Sequence, residues 1–169
     1  NNILLKETTR ESNFSDKNQV FNELLRLSEH EEHCFKYIIS RKQFSRSIGY
    51  VVLDQEAMIP LVEECDSDTV ISVTRTIADI LAEESGRLSM IVYYDFPDKS
   101  DLVQFRVRRG EIFKSYDLRN IIKVFAIENG GGHEGAIGFR IPKDRIDDIH
   151  VYVDTLISGI EHEISGISS

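Results

Sequence analysis

Apolar positions along the chain change their period several times, and each change marks an element. From Asp16, Val20, Phe21, Leu24, Leu25 and Leu27 recur at helical spacing; the polar "SEHEEH" interrupts, and Phe35, Ile38 and Ile39 resume the face. Residues 16–45 are expected to form one long or broken helix after an aperiodic, flexible start over 1–14. That helix has few apolar neighbours of its own and calls for an outside surface to pack on. "IGYVVLD" then reads as a strand, and "EAMIPLVEEC" as a short helix or turn disturbed by Pro60.

"SDTVISVTRTIADILAEESG" predicts a helix capped by Ser67 or Asp68, with Val70, Ile71, Thr74, Ile77, Ala78 and Leu81 on one face and a stop at Gly86. "LSMIVYYD" and "LVQFRVRR" flank the turn "FPDKS" and read as a hairpin. "DLRNIIKVFAIEN" predicts a helix capped by Asp117 and ended by Asn129 and Gly130. "AIGFRI" is a strand. Pro142 and Asp144 are expected to open a last helix bearing Ile146, Ile149, Val153, Ile157 and Ile160. From residue 46 the order is β-α-α-β-β-α-β-α. This predicts an α/β (α+β) fold: a mixed central sheet of about four or five strands flanked by helices, behind an N-terminal helical linker.

Composition narrows the class. The 169 residues suit one domain plus an appendage, and the first residue is Asn1, which suggests a fragment. No apolar run reaches the roughly 20 residues a membrane span needs, and no signal peptide is visible. Two cysteines, Cys34 and Cys65, suit a reducing, cytoplasmic setting and read as small buried hydrophobes. The net charge of −9 argues against a surface that grips long nucleic acid. Between Gln104 and Lys123 the balance inverts, with six cations (Arg106, Arg108, Arg109, Lys114, Arg119, Lys123) against Glu111 and Asp117. A local basic site on an acidic body fits a small anionic ligand.

The chemistry concentrates in "ENGGGHEGAIGFR". One or two glycines would end a helix. Gly130, Gly131 and Gly132 in a row, with His133 behind them and Gly135 and Gly138 further on, suit a backbone that cradles an anion. His133 reads as a donor to a phosphate oxygen or as an exposed loop histidine. In "LVQFRVRR", alternation sends Val103, Phe105 and Val107 to one face and Gln104, Arg106 and Arg108 to the other. Guanidiniums there match phosphate oxygens, whereas Arg109 reads as a solvated cation. "HEEHC" places His30 and His33 three apart and reads as a solvated helix face rather than a metal site.

These stretches together resemble the DHHA1 domain, the C-terminal half of the DHH phosphoesterases, and in particular their oligoribonuclease-type members. The resemblance lies in "FRVRRG", a helix, and "NGGGHEGAIGF": Gly130, Gly131, Gly132 and His133, then Ala136, Gly138 and Phe139. It covers roughly residues 46–165. Asn129 stands where many members have a further glycine, and Phe105-Arg106-Val107 where members often read Leu-Arg-Ser.

The resemblance implies a domain order of 1–45 as the linker from a DHH domain and 46–169 as a substrate-binding domain. It implies phosphate binding by Arg106, Arg108, Gly130, Gly131, Gly132 and His133. It also implies manganese or another divalent ion held in the DHH domain, with no metal and no catalytic residue in this chain. Implied partners are the DHH domain of the same chain and a short oligonucleotide, dinucleotide or phosphorylated nucleotide, with no membrane and with self-association open. The parent would hydrolyse phosphodiester or phosphomonoester bonds, as an exonuclease does, while this chain alone would bind weakly and cut nothing. Two other readings remain: a non-catalytic nucleotide- or RNA-binding regulatory module, and a relative of the C-terminal domain of alanyl-tRNA synthetases, against which the acidic charge counts.

Overall fold

In a computed structural model, residues 29–167 are described. The expected flexible start over 1–14 and the helical pattern of 16–28 lie outside the described residues.

The elements are α1 (Glu29–Ile39), β1 (Gln43–Phe44), β2 (Ile48–Leu53), α2 (Gln55–Glu64), α3 (Ser67–Ser85), β3 (Leu88–Tyr94), β4 (Leu102–Arg109), α4 (Arg119–Val124), β5 (Gly130–His133), β6 (Ala136–Pro142) and α5 (Ile149–Ile164). Six strands form one mixed sheet in the order β1-β2-β3-β4-β6-β5. Only β2 and β3 run parallel, joined through α2 and α3; the other neighbours are antiparallel. The mixed α/β architecture therefore stands as the sequence predicts, with more strands than the four or five expected.

The extra strands have identifiable causes. Gln43–Phe44 lies inside the span expected to be helix. The helix instead ends at Ile39, and these two residues pair with Tyr50 and Gly49 at the sheet edge. The second extra strand is the glycine run itself, which pairs along its whole length with β6. Two helices also have different limits. α4 stops at Val124 because Ala126 takes a left-handed φ of 49°, and Asn129, also at 49°, lies in the turn into β5 rather than at a helix end. α5 begins only at Ile149, because Pro142 still pairs with Leu102 and Asp148 supplies the cap, accepting from the backbone of His150 and Val151. The cap of α3 is Asp66, one residue before the expected position, and Gly86 ends it at φ 83° as expected.

The core divides into two layers. On one face of the sheet, α4 and α5 pack through Ile121, Ile149, Val153, Leu156, Ile157, Ile160 and Ile164. They meet strand residues that include Met90, Val92, Val103, Phe105, Val107, Ile137 and Phe139. Phe105 and Phe139 are register partners and stack at 4.7 Å with 7° between their planes. On the other face, α1, α2 and α3 pack on Val51, Leu53, Ile91 and Tyr93 of β2 and β3. The described part of α1 thus has a surface within this chain, through Cys34, Phe35 and Ile38, all buried. Cys34 and Cys65 are both free and buried, as small hydrophobes would be. No helix among the described residues is long and apolar enough to cross a membrane.

One carboxylate ties α5 to the connection between β1 and β2. Glu161 on α5 accepts from the Ser45 hydroxyl, the Ser47 hydroxyl and the Ser47 backbone N–H, the last at 2.8 Å. Partial burial alone would raise its pKa, but these three donors outweigh burial and hold it below the ordinary glutamate value. A carboxylate depressed in the folded state adds stability above its unfolded pKa of about 4.3 and loses it as pH falls through the lower folded value. Urea denaturation of Glu161→Gln should show lower stability at neutral pH and a shallower loss of stability below about pH 4 than the unmodified chain. Parallel acid limbs in the two proteins would refute this role.

Candidate functional site

Strands β4, β6 and β5 contribute no side chain to the α1–α3 core. Beyond the part of β4 that α3 meets through Arg108 and Asp79, their second face is open, and it forms one wall of a cleft of about 790 Å³. The remaining walls are the first turn of α3 (Ser67, Asp68, Ile71), the end of β3 (Tyr93, Asp95) and Lys99 of the β3–β4 turn. The cleft lies at the carboxyl end of the parallel pair β2–β3, beside the N-terminus of the 19-residue α3. In α/β sheets this end collects ligands, and a helix N-terminus there favours negative charge.

Strand register builds the floor. Arg106 pairs with Gly138, and Gly138 pairs with Gly131. The arginine therefore stands at the end of a row whose next two positions have no side chains. Neither glycine is required there by packing: a Cβ on Gly131 would meet nothing within 4 Å, and one on Gly138 would only reach ordinary contact, 3.5 Å from the Phe105 carbonyl oxygen. The row is bare although the fold would accept alanine.

Arg106 is positioned and uncompensated. Its Nε and Nη2 donate to the Tyr93 hydroxyl at 3.3 and 3.2 Å. Among the described residues no carboxylate lies within ion-pair distance of it. Arg140 and Lys99, also on the cleft wall, likewise have no described ion-pair partner. Three cations and a strip of bare backbone can take an anionic group on the sheet face.

The neighbouring arginines are already engaged. Arg108 pairs with Asp79 on α3 at 3.5 Å; burial, with some repulsion from Arg106 and Arg75, lowers its pKa against the opposing pull of Asp79. Arg109 donates to the carbonyl oxygens of Lys114 and Tyr116 at 2.8 and 2.7 Å, so it is a structural clamp rather than the solvated cation expected. Arg119 is held by Asp117, whose carboxyl its guanidinium brings down to about 2.

Of the six residues expected to bind phosphate, the cleft collects Arg106, Gly130 and Gly131. Arg108, Gly132 and His133 do not line it. Gly132 answers to the backbone: its φ is 143°, and a Cβ would sit 2.2 Å from the Ala136 carbonyl oxygen. Gly130 abuts Ile122 and Ile127 below the strand. The run is thus an edge strand rather than the loop expected, and its outer rank of N–H and C=O groups has no strand partner. His133 is exposed at the turn end of β5, across Ala136 from Arg108. Its Nδ1 accepts from the Gly135 N–H at 3.2 Å, which leaves the Nε2–H outward as a donor.

The β5–β6 turn is tied down where Leu118 donates to the Glu134 carbonyl at 2.9 Å and Arg109 donates to the Gly135 carbonyl at 3.1 Å. His33 pairs with Glu64 on the surface at 3.4 Å; the side chain of His30 lies outside the described residues. Sequence reasoning missed Asp95, Lys99 and Arg140. Arg140 could have been found by alternation from Gly138 on β6, but Asp95 and Lys99 reach the cleft only through the course of the turn.

The structure is thus a mixed α/β domain whose sheet carries a cationic cleft between a glycine edge hairpin and a helix N-terminus. The family model of the DHHA1 domain matches residues 59–159, and the chain belongs to that family. Among solved structures it is similar to a pGpG-specific phosphodiesterase, PggH, from Vibrio cholerae, with 17% identity and a TM-score of 0.50. That likeness covers 83% of this chain and 41% of the phosphodiesterase, and at this identity it shows a shared fold. No curated protein matches the chain.

The glycines separate by experiment. Gly132→Ala should destabilise the chain by more than about 1 kcal/mol, through strain at positive φ and a backbone clash. Gly131→Ala should leave the thermal midpoint within a few degrees of the parent. Equal losses in the two variants would mean that packing, not the cleft, accounts for both.

Proposed function

We propose that this chain is the substrate-binding portion of a DHH-type phosphoesterase that acts on short oligonucleotides or phosphorylated nucleotides, and that the chain by itself binds without cutting. The observation that carries the reading is Arg106: half-buried, held by Tyr93, without a described carboxylate partner, and set beside two side-chain-free positions on the cleft floor. A phosphate lying on Gly138 and Gly131 could approach the backbone closely while the guanidinium fork meets its oxygens. Arg140 and Lys99 would neutralise further charge. His133 would reach such a ligand only from the strand's end, as a secondary donor through Nε2.

The cleft's own groups do not suit a divalent ion. Its cations repel one, and among the described residues no group of three or more His, Cys, Asp or Glu could hold a metal. In this proposal manganese belongs to the DHH domain, supplies a water nucleophile and charge neutralisation there, and plays no part in the binding described for this chain.

Titration calorimetry with a 5′-phosphorylated dinucleotide tests the reading. The chain should bind it, and Arg106→Ala should weaken binding by roughly 10–100-fold, the loss of a charge-assisted pair. Tyr93→Phe, which frees the guanidinium without removing it, should cost less. Incubation with manganese should leave the dinucleotide intact. Unchanged affinity in Arg106→Ala, or hydrolysis by this chain, would overturn the assignment.

A further inference from the structure

The cleft is not uniformly basic. Its wall at the end of β3 carries Asp95, and Gln104 stands on β4 two residues from Arg106 on the same face. A site that only gripped phosphate would present donors here, but the hydrogen bonds turn this pair the other way. The Asp95 Oδ2 accepts from the Ser100 hydroxyl at 2.5 Å and from the Gln104 amide Nε2 at 3.0 Å. The turn around them is braced by the Asp95 N–H on the Leu102 carbonyl at 3.0 Å and the Leu102 N–H on the Ser100 hydroxyl at 3.1 Å.

Asp95 therefore fixes which way the Gln104 amide faces. With one N–H of its NH₂ on the carboxylate, the amide keeps its orientation, and its carbonyl Oε1, which has no partner among the described residues, faces away from Asp95 beside the second N–H. Asp95 Oδ1 is likewise without one. Gln104 thus stands one strand repeat, about 7 Å along the backbone, from the residue that would take the phosphate, and Asp95 lies beyond it beside Leu102.

We infer that the Asp95–Gln104 pair reads the base of the bound nucleotide and selects guanine. The inference rests on the phosphate reading of Arg106 given above. Guanine alone among the common bases presents two adjacent donors, N1–H and the 2-amino group, to a pair of acceptors. Adenine offers its N1 acceptor on that edge, which would face acceptors with no hydrogen between. A wrong base covers these half-buried acceptors without pairing them, and that penalty makes such a pair selective.

Calorimetry with 5′-phosphorylated dinucleotides carrying guanine, hypoxanthine or adenine, and with the 2′-deoxy guanine dinucleotide, tests this on the whole chain. Guanine should bind at least tenfold tighter than adenine, and hypoxanthine, which keeps N1–H but lacks the amino group, should fall between. Asp95→Asn should reduce the guanine preference to under threefold. Gln104→Leu should do the same while leaving the Ser100–Asp95 bond in place, so a folding defect in one variant does not decide the matter. Arg106→Ala should weaken all the ligands together and keep the guanine preference. Equal affinities for guanine and adenine in the unmodified chain would overturn the base assignment and leave the phosphate reading standing. A tenfold loss for the deoxy ligand with no base preference would reassign the acceptors to ribose hydroxyls and overturn it too. Absence of binding by every dinucleotide would overturn the phosphate reading and this inference together.

Discussion

The unequal covering of the sheet's two faces governs this molecule. One face is packed along most of its width by α4 and α5. The apolar packing on the other is confined to β2 and β3, with α3 reaching β4 through Asp79 and Arg108, because the crossover through α2 and α3 joins β2 and β3 and returns across them. The antiparallel strands β6 and β5 lie beyond β4 in the sheet and add no side chain to that second core. A bare sheet face must either be polar or find a partner, and here it carries Gln104, Arg106, Gly138 and Arg140. The cleft is the step between the covered and the uncovered halves.

Register makes that step specific. A slip of one residue between β4 and β6 would turn Arg106 into the apolar core and Phe105 into the cleft. The stacked pair Phe105–Phe139 opposes the slip, since both rings are fully buried and lie in contact only in the observed pairing. The apolar face of these strands thereby sets the geometry of the polar one. Three arginines follow one another closely in "FRVRR", and the fold gives each a different task. Arg109 closes the β4 end by binding two carbonyls, Arg108 ties the sheet to α3, and Arg106 is held by a tyrosine hydroxyl with no carboxylate partner among the described residues.

The same division runs through the glycines. Gly132 is glycine because of its φ and the carbonyl oxygen behind it, and a Cβ on Gly130 would press on Ile122 and Ile127 at 3.3–3.4 Å. Gly131 and Gly138 have no such reason, and they are the two aligned with Arg106. The chain belongs to the DHHA1 family, and its likeness to a phosphodiesterase extends to the fold and to less than half of that protein's length.

By itself the sequence determined the strands from "GYVVLD" to "AIGFRI", the α3 face and its Gly86 stop, the inward isoleucines of α5 and the outward Arg106. These follow from local periodicity and from side chains that alternate by two or by 3.6. It also marked "NGGGHEG" as unusual for a turn. It misjudged the ends of α1 and α5, because those limits depend on strand pairing, Phe44 with Gly49 and Pro142 with Leu102, and the end of α4, because Ala126 takes a left-handed φ. Only the tertiary structure decided that the glycines form an edge strand, that Arg108 and Arg109 are engaged elsewhere, and that Asp95 and Lys99 reach the cleft. The physical reason is that a charge is free or spent according to what long-range packing brings beside it, and a glycine is needed or dispensable according to what occupies the space a Cβ would fill.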